Sequence, residues 1–261
     1  MNPNELKQFM GWFKWVMMGI CIAIVIGLFI ISYFDYKKKK INPIKFMTVT
    51  GIFGALAVIL YVVVPDFGLG FTPPWLKVHL DEIPMFLVGY MYGPIAAIMV
   101  NLIKTLVKLP ISTTACIGEI GDFIFSLIFV IPAVILYEKR RKFSSVLIGV
   151  GISTTTHIIF AMLLNVYFMI PFYAMFYGIP ESVLEGLCRA VVPAVQGENW
   201  KWLYAGIMVA PMNAIKDAIV IATVLLLYKR LHILINRIGE QQANDELVLQ
   251  ENEDTKKPDE E

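Results

Sequence analysis

The hydrophobic residues of this chain are concentrated in long runs separated by short polar stretches. Seven runs can be drawn, at 11–34, 44–64, 81–92, 94–109, 115–137, 145–172 and 203–229. A helix needs about 20 predominantly apolar residues to cross the hydrocarbon core of a bilayer, and most of these runs reach that length. The pattern therefore predicts an all-α polytopic membrane protein with one helical segment for each run.

Two neighbouring runs are short. Gly93 and Pro94 separate 81–92 from 94–109, and proline disfavours a helical conformation at the residue before it. The two runs form either two short helices or one kinked hairpin arm. If they are two helices, at 1.5 Å per residue each spans only about 20 Å, which is thin for a bilayer. We therefore expect these two helices to pack inside the protein rather than against lipid.

Composition supports the membrane assignment and excludes several other classes. The chain is 57% hydrophobic and 16% charged, whereas about 25% of the residues of a soluble domain are charged. A net charge of +1 gives no case for binding nucleic acid. Three cysteines at wide spacing form neither a disulfide framework nor a metal site. The sequence contains no ATP-binding P-loop and no hydrolase or zinc-protease motif.

Basic residues indicate the orientation in the membrane. Three clusters follow the first, fifth and seventh runs, at 37–40, 139–142 and 229–237. Seven crossings place all three on the same side, which the positive-inside rule identifies as the cytoplasm. The N-terminus is then outside and the C-terminus inside. The long loop 173–202 faces outside, and within it Glu181–Val195 is expected to form an amphipathic helix on the membrane.

Polar residues inside the apolar runs indicate a candidate binding site. The run 203–229 carries Asn213 and Lys216 near its middle. A lysine at bilayer depth costs several kcal/mol unless it meets a partner or water. Asn213 and Lys216 share one helical face because they are three residues apart, and Asn165 and Tyr167 of the preceding run add to the polar cluster. With aromatic and aliphatic neighbours, this cluster suits a planar, partly polar small molecule.

Other polar residues have a simpler explanation in helix packing or at an interface. Asp81 and Glu119 lie near segment ends, Lys104 can extend towards the membrane surface, and His157 lies among threonines and is expected to be a packing residue. We keep Asp81 and Glu119 as candidate substrate-binding residues. No set of residues has the spacing of a metal site, and we expect no cofactor.

Several motifs along the chain resemble one family of transport subunits. They are Lys77–Pro94, Asn101–Lys108, Gly118–Phe123 (similar to Gly-Glu-Leu-Ala-Asn-Phe), Asn165–Pro171 and Pro211–Lys216 (similar to Pro-Phe-Asn-Leu-Ile-Lys). In order and spacing they resemble riboflavin-type S components of energy-coupling factor (ECF) transporters, over roughly residues 44–232. Departures at Val78–Pro84 and Asp122 leave riboflavin, a phosphorylated flavin or another vitamin open as the ligand.

The resemblance implies a six-helix membrane subunit that captures a vitamin from outside a bacterial cell membrane. It also implies docking on a transmembrane coupling subunit and two ABC ATPases, which fits a chain with a pocket but no P-loop. At the matching positions, Asn213 and Lys216 would hydrogen-bond the polar part of a riboflavin-like substrate, with Asn165 nearby. The protein would then be a transport subunit and not an enzyme.

Small residues form the predicted docking surface for the coupling subunit. Gly51 and Ala55 are four residues apart, as are Thr50 and Gly54, and such pairs allow helices to approach closely. Packing within the chain explains these small residues equally well.

We expect the chain to contain three regions. Residues 1–40 would form an extra N-terminal transmembrane helix with a basic stop, since the apolar stretch is too long for a signal peptide and lacks a small-residue cleavage site. Residues 41–239 would form the six-helix substrate-binding domain. The polar and acidic residues 240–261 would form a disordered cytoplasmic tail.

Two other functions remain open from the sequence. One is an intramembrane enzyme that uses Glu119, Asp122 and His157 as acid and base, although these residues follow no familiar catalytic spacing. The other is a non-transporting membrane partner or assembly factor, in which the polar residues hold helices together.

Overall fold

The structure is a computed structural model, and it describes residues 43–63, 68–73, 75–112, 116–140 and 142–228, together with Ile30. The predicted N-terminal helix 11–34, the basic cluster 37–40 and the predicted tail 240–261 lie outside the described residues.

Seven helices make up nearly all of the described chain. They are α1 (Pro43–Val58, continued by a π-helical turn at Ile59–Val63), α2 (Glu82–Tyr92), α3 (Pro94–Lys108, continued by a 3₁₀ turn at Leu109–Ile111), α4 (Ile117–Arg140), α5 (Phe143–Tyr177), α6 (Glu181–Val191) and α7 (Trp200–Tyr228). Of these, α1, α3, α4, α5 and α7 are long and apolar enough to cross a membrane. The predicted all-α membrane architecture is confirmed.

The two short runs behave differently from each other. Every residue of α2 is buried, as expected for a short helix enclosed by protein. The prediction that α3 is also too short is wrong, because the 3₁₀ turn extends it to an 18-residue span from Pro94 to Ile111. Between them Gly93 has a φ of 93°, a conformation that favours glycine. A Cβ at this position would also lie 3.1 Å from Oε1 of Glu138.

The aromatic core of the bundle is built around α2. Phe86 meets Phe129 of α4 edge-to-face, with 5.1 Å between ring centroids. Tyr90 meets Tyr137 in the same manner at 4.9 Å, and Tyr137 in turn accepts a hydrogen bond of 3.2 Å from the hydroxyl of Tyr228. Edge-to-face pairs of this kind add to the stabilisation that area burial gives, so α2 is fixed to both α4 and α7.

Two of the long helices contain a π-helical turn. The turn in α5 covers Asn165–Met169, and the turn in α7 covers Ala205–Val209. Each turn ends two residues before a proline, Pro171 or Pro211, which has no N–H to donate to the helical ladder. A π turn widens the helix locally and is frequent at functional sites. Here both turns lie in the half of the bundle that contains the cavity described below.

The connection between α5 and α7 contains the predicted amphipathic helix, with a different end. Helix α6 stops at Val191 rather than Val195. The residue before a proline is disfavoured in helical conformation, and Val192 precedes Pro193 and is extended. Leu184 and Cys188 form the buried face of α6, which lies over the cavity.

Candidate functional site

A cavity of about 780 Å³ lies between α4, α5 and α7, beneath α6 and the segment around Trp75–His79. Cavities of this size hold drug-sized organic molecules. Its polar lining includes Asn165 from α5, Asn213 and Lys216 from α7, and Glu119 and Asp122 from α4. The cavity thus joins residues that are far apart in the sequence.

Lys216 lies in the cavity wall and is ion-paired with Glu82 of α2. The side chain of Lys216 is 5% exposed and that of Glu82 is fully buried. Removing either partner would leave an uncompensated buried charge, which is strongly destabilising. The pair therefore holds the ammonium group at a defined place in the wall.

A second buried charge cluster is centred on Lys104 of α3. Its ammonium group pairs with Asp81 and with Asp122, the latter at 2.9 Å, and donates a hydrogen bond of 3.0 Å to Ser126. The Ser126 hydroxyl also lies 3.5 Å from Oε1 of Glu82. Through Ser126, the Lys104 cluster connects with the Lys216 pair, so a continuous set of charges supports the cavity from behind.

Asn165 belongs to a chain of hydrogen bonds that reaches the cavity rim. The indole N–H of Trp75 donates to the Tyr204 hydroxyl at 3.2 Å, and that hydroxyl donates to Oδ1 of Asn165 at 3.1 Å. The Asn165 amide then donates to the Ala161 carbonyl at 2.9 Å. This chain fixes the amide orientation and ties the loop residue Trp75 to α5 and α7.

Asn213 is held by its own helix. Its amide Nδ2 donates to the carbonyl of Val209, the last residue of the π turn in α7, at 2.9 Å. The π turn thus supplies the carbonyl acceptor that orients Asn213. The amide contributes a polar group to the cavity wall three residues, or almost one helical turn, before Lys216.

Aromatic side chains form much of the remaining wall, and they are Tyr61, Trp75, Phe125, Tyr173 and Tyr177. Flat aromatic surfaces suit the faces of a planar ring system, since offset and edge-to-face contacts between rings are favourable. The cavity therefore combines a few fixed polar groups with flat apolar surfaces.

The structure brings together four of the six residues predicted to bind substrate. Asn165, Asn213, Lys216 and Glu119 all line the cavity. Asp81 lies behind it, fully buried against Lys104.

Tyr167 lies on the opposite face of its helix from the cavity. It is 69% exposed, and its ring contacts Trp202 edge-to-face at 5.8 Å. Residues two apart on a helix do not face each other, and Tyr167 is two residues from Asn165. We therefore leave Tyr167 out of the candidate site.

The structure corrects the expectation for Lys104 and adds two aromatic residues that the sequence did not indicate. Lys104 does not extend to the membrane surface, because it is fully buried. It is three residues from Asn101 and four from Lys108, and this helical spacing was the signal in the sequence that α3 has one polar face. Tyr61 and Tyr173 line the cavity although nothing in their local sequence distinguishes them from other interfacial tyrosines.

The residues of the enzyme alternative do not form one constellation. The Glu119 carboxylate accepts a hydrogen bond of 2.7 Å from Ser112, and Asp122 is paired with Lys104. His157 is away from the cavity wall, buried with its Nδ1 2.9 Å from Asp217. Within the described ranges, no three His, Cys, Asp or Glu side chains are placed to hold a metal ion.

The fold and the cavity define a class of protein: a polytopic helical membrane protein with an internal, partly polar cavity of the size that holds a small organic molecule. Comparison with known families identifies the particular family within this class. The sequence model described as ECF transporter, substrate-specific component, matches residues 45–228, and the chain belongs to that family. The resemblance drawn from the sequence motifs is thereby confirmed.

Two curated relatives and one solved structure agree with this assignment. The chain is 26% identical over 202 residues to the riboflavin transporter RibU of Staphylococcus aureus (strain TCH60), covering 77% of this chain and 98% of the relative. It is 24% identical over 191 residues to the riboflavin transporter FmnP of Bacillus subtilis (strain 168), covering 72% and 92%.

The fold similarity is to a solved S component. A structure described as "Structure and mechanism of the S component of a bacterial ECF transporter" has a TM-score of 0.57 and 24% identity, covering 74% of this chain and 99% of the other. The two relatives are named as riboflavin transporters, and the solved structure is an S component of an ECF transporter. The described helices α1 to α5 and α7 correspond in number to the predicted six-helix core.

Proposed function

We propose that this protein is the substrate-capture subunit of an ECF-type importer and that its substrate is riboflavin or a closely related flavin. The observation that carries the proposal is a cavity with Asn165, Asn213 and Lys216 in its wall, in a chain whose relatives are named riboflavin transporters. The cavity volume of about 780 Å³ lies within the usual range for such ligands.

The two kinds of cavity wall suit the two parts of a flavin. The flat tricyclic ring would lie among the aromatic side chains, where Trp75, Phe125 and Tyr173 offer large apolar faces. The ribityl hydroxyls and ring carbonyls would meet Asn213, Lys216, Asn165 and Glu119. Since most of these polar groups already have protein partners, they would be held in place before the ligand arrives, which lowers the entropic cost of binding.

The proposed importer has further components. We infer that the protein docks on a transmembrane coupling subunit served by two ABC ATPases, because the family assignment implies them and the chain has no P-loop. We place it in a bacterial cell membrane with the N-terminus outside and the C-terminus in the cytoplasm, from the positions of the basic clusters.

Of the four small residues predicted to contact the coupling subunit, two are exposed and two face the bundle. Gly51 and Ala55 are exposed on α1, and a Cβ at Gly51 would meet no heavy atom within 4 Å. Thr50 and Gly54 instead face the bundle, where a Cβ at Gly54 would lie 2.8 Å from Cδ1 of Ile103. We therefore propose Gly51 and Ala55 as contacts for the coupling subunit and assign Thr50 and Gly54 to internal packing.

An absorption spectrum and a fluorescence titration test the substrate assignment. The full chain would be purified in mild detergent and titrated with riboflavin while flavin fluorescence is followed. A yellow protein, or quenching that saturates at one flavin per chain, supports the proposal. A folded, colourless protein that does not quench riboflavin or its phosphorylated form would remove flavins, and other vitamins would then be screened on the same architecture.

A further inference from the structure

A second concave site lies on the outer surface of the bundle, away from the ligand cavity. It is a groove of about 640 Å³ along the C-terminal half of α4, and its walls come from α3 and α5. We call it the α4 groove, and it is lined by Ile98, Leu127, Ile128, Ile131, Ile135 and Lys139, among others. The cavity described above uses the N-terminal half of α4, from Gly118 to Phe125, so the two sites do not share residues.

Seven of the ten residues that line the α4 groove are isoleucine or leucine, and the other three are Pro132, Lys139 and Thr156. Ile128, Ile131 and Ile135 lie three and four residues apart, on one face of α4, while Ile98 and Ile152 border them. Ile135 is 40% exposed and Ile152 is 52% exposed, so the groove is open to its surroundings. In a membrane-spanning bundle those surroundings are lipid.

The groove is about as long as one leaflet is thick, and basic residues lie at one of its ends. From Leu127 to Lys139 the helix rises about 18 Å at 1.5 Å per residue. One leaflet contributes about half of a hydrocarbon core that is about 30 Å thick. Lys139 lines the groove, and Arg140 and Lys142 are exposed beside it at the α4–α5 connection. The neighbouring carboxylate, Glu138, lies instead near Gly93.

We propose that the α4 groove is a binding site for an anionic phospholipid, with one acyl chain along α4 and the headgroup phosphate at Lys139. Basic pockets between transmembrane helices on the cytoplasmic side bind anionic headgroups. The basic cluster after α4 is on the side that we assign to the cytoplasm, so the lipid belongs to the inner leaflet. The site is independent of the substrate, because nothing in it depends on what the cavity holds.

An acyl chain fits this groove better than another helix does. Helices in membranes associate closely through small residues, and the groove lining is dominated by isoleucine and leucine. One small residue nearby, Gly149, is already used inside the chain: a Cβ at Gly149 would lie 2.9 Å from Cα of Ala133, so α4 and α5 are in close contact there. A flexible alkyl chain needs no such small residues.

Native mass spectrometry of the full chain, released from nanodiscs with equal phosphatidylglycerol and phosphatidylcholine, tests the proposal. We expect one phosphatidylglycerol to be retained per chain in preference to phosphatidylcholine. Lys139→Ala should lower phosphatidylglycerol binding about fivefold, the effect of one basic residue near an anionic surface. Ile135→Trp, which fills the groove, should lower the retention of both lipids.

Two matched variants are the controls. Lys45→Ala removes an exposed lysine at the N-terminal end of α1, and Leu226→Trp enlarges a residue that is 69% exposed on α7. Both residues lie outside the groove lining, so neither substitution should change the retention of either lipid. Gel filtration and thermal unfolding would show that each variant is folded. Equal retention of the two lipids, or equal effects of groove and control variants, overturns the proposal. So does cross-linking of two chains through a cysteine placed at Ile131.

Discussion

Lys216 and Glu82 illustrate how a charge at membrane depth is both stabilised and made available. The two side chains are paired and almost fully buried, yet Lys216 also lies in the cavity wall. Glu82 has a further oxygen, Oε2, with no hydrogen-bond partner among the described atoms. The pair has a structural role, and the position of Lys216 in the cavity wall gives it the ligand-binding role that we propose. Substitution can separate the two roles.

The first prediction separates the two roles of Lys216. Lys216→Met leaves the Glu82 carboxylate buried and unpaired, and breaking such a pair costs about 3–5 kcal/mol of stability. Adding Glu82→Gln removes the isolated charge and should restore most of the thermal stability. Riboflavin binding should stay weakened in both variants by about 1.5–3 kcal/mol, the range for a hydrogen bond to a charged group. Thermal unfolding and fluorescence quenching measure the two effects.

Tyr167 provides the control for this prediction. It lies near the same part of the sequence as Asn165 but faces away from the cavity and is 69% exposed. Tyr167→Ala should leave riboflavin affinity unchanged. If the double variant at Glu82 and Lys216 bound riboflavin as the original chain does, Lys216 would not contact the ligand.

At the scale of elements, α6 covers the cavity and is attached by two polar contacts in its N-terminal half. Lys201 at the start of α7 pairs with Glu181 at 2.6 Å, and the Gly197 N–H donates to the Glu185 carboxylate at 2.9 Å. Gly178 and Gly197 flank the element with φ values of 63° and 86°, which favour glycine. Leu184 and Cys188 pack α6 against the core, and these two polar contacts are partly exposed, so we predict that α6 is the element that opens to admit a ligand.

The second prediction uses Cys188 to report the opening of α6. The side chain is 1% exposed, and burial raises the pKa of its thiol to about 12, so the closed form holds a protonated, covered thiol at pH 8. Opening would expose it and return its pKa to about 8.5. In a Cys21→Ser and Cys116→Ser background, we expect slow alkylation of Cys188 at pH 8. Riboflavin should slow this alkylation further, and Lys201→Ala should accelerate it because it removes the ion pair with Glu181.

Glu198→Ala is the control for the effect of Lys201→Ala on the alkylation of Cys188. Glu198→Ala changes a charge in the same loop without touching the Lys201–Glu181 pair, and it should leave the alkylation rate unchanged. Alkylation of Cys188 that is fast in the original chain and insensitive to riboflavin would show that α6 does not close over the ligand.

The third prediction concerns the two faces of α1. Gly51→Leu should abolish co-purification with the coupling subunit while leaving riboflavin binding intact, because Gly51 is exposed and no atom lies within 4 Å of the added Cβ. Gly54→Leu should lower the thermal stability instead, because the new side chain would displace Ile103. Reversed outcomes for these two substitutions would assign docking to a different surface.

At the scale of the whole molecule, buried charges are confined to the interior of the bundle. Lys104, Asp81 and Asp122 connect α2, α3 and α4, and the His157–Asp217 pair connects α5 and α7. In lipid such groups are tolerated only when they pair inside the protein. These pairs fix which helices are neighbours and leave the lipid-facing surface apolar.

The fourth prediction tests the orientation of the whole molecule. Single cysteines at Glu198 and at Lys142 lie at opposite ends of the long helix α5 and its connections. If the positive-inside rule holds here, a membrane-impermeant maleimide added to intact cells should label Glu198→Cys and not Lys142→Cys. Both positions should react after the cells are permeabilised. Labelling of Lys142→Cys alone in intact cells would invert the proposed topology.

The sequence by itself determined the class, the helices and the family. Apolar runs that can cross a bilayer need no tertiary information, since length and hydrophobicity alone decide whether a segment is stable in lipid. The motifs from Lys77 to Lys216 indicated the ECF family, and the shared helical face of Asn213 and Lys216 follows from their spacing.

The tertiary structure decided which of the polar residues meet. Lys104 is buried rather than extended because Asp81 and Asp122 from two other helices neutralise it, a pairing that no local pattern contains. Asn165 lines the cavity and Tyr167 does not, because the rotation of α5 is set by its packing against α4 and α7. Local sequence fixes the spacing of residues along a helix, whereas only the contacts between helices fix the direction in which each face points.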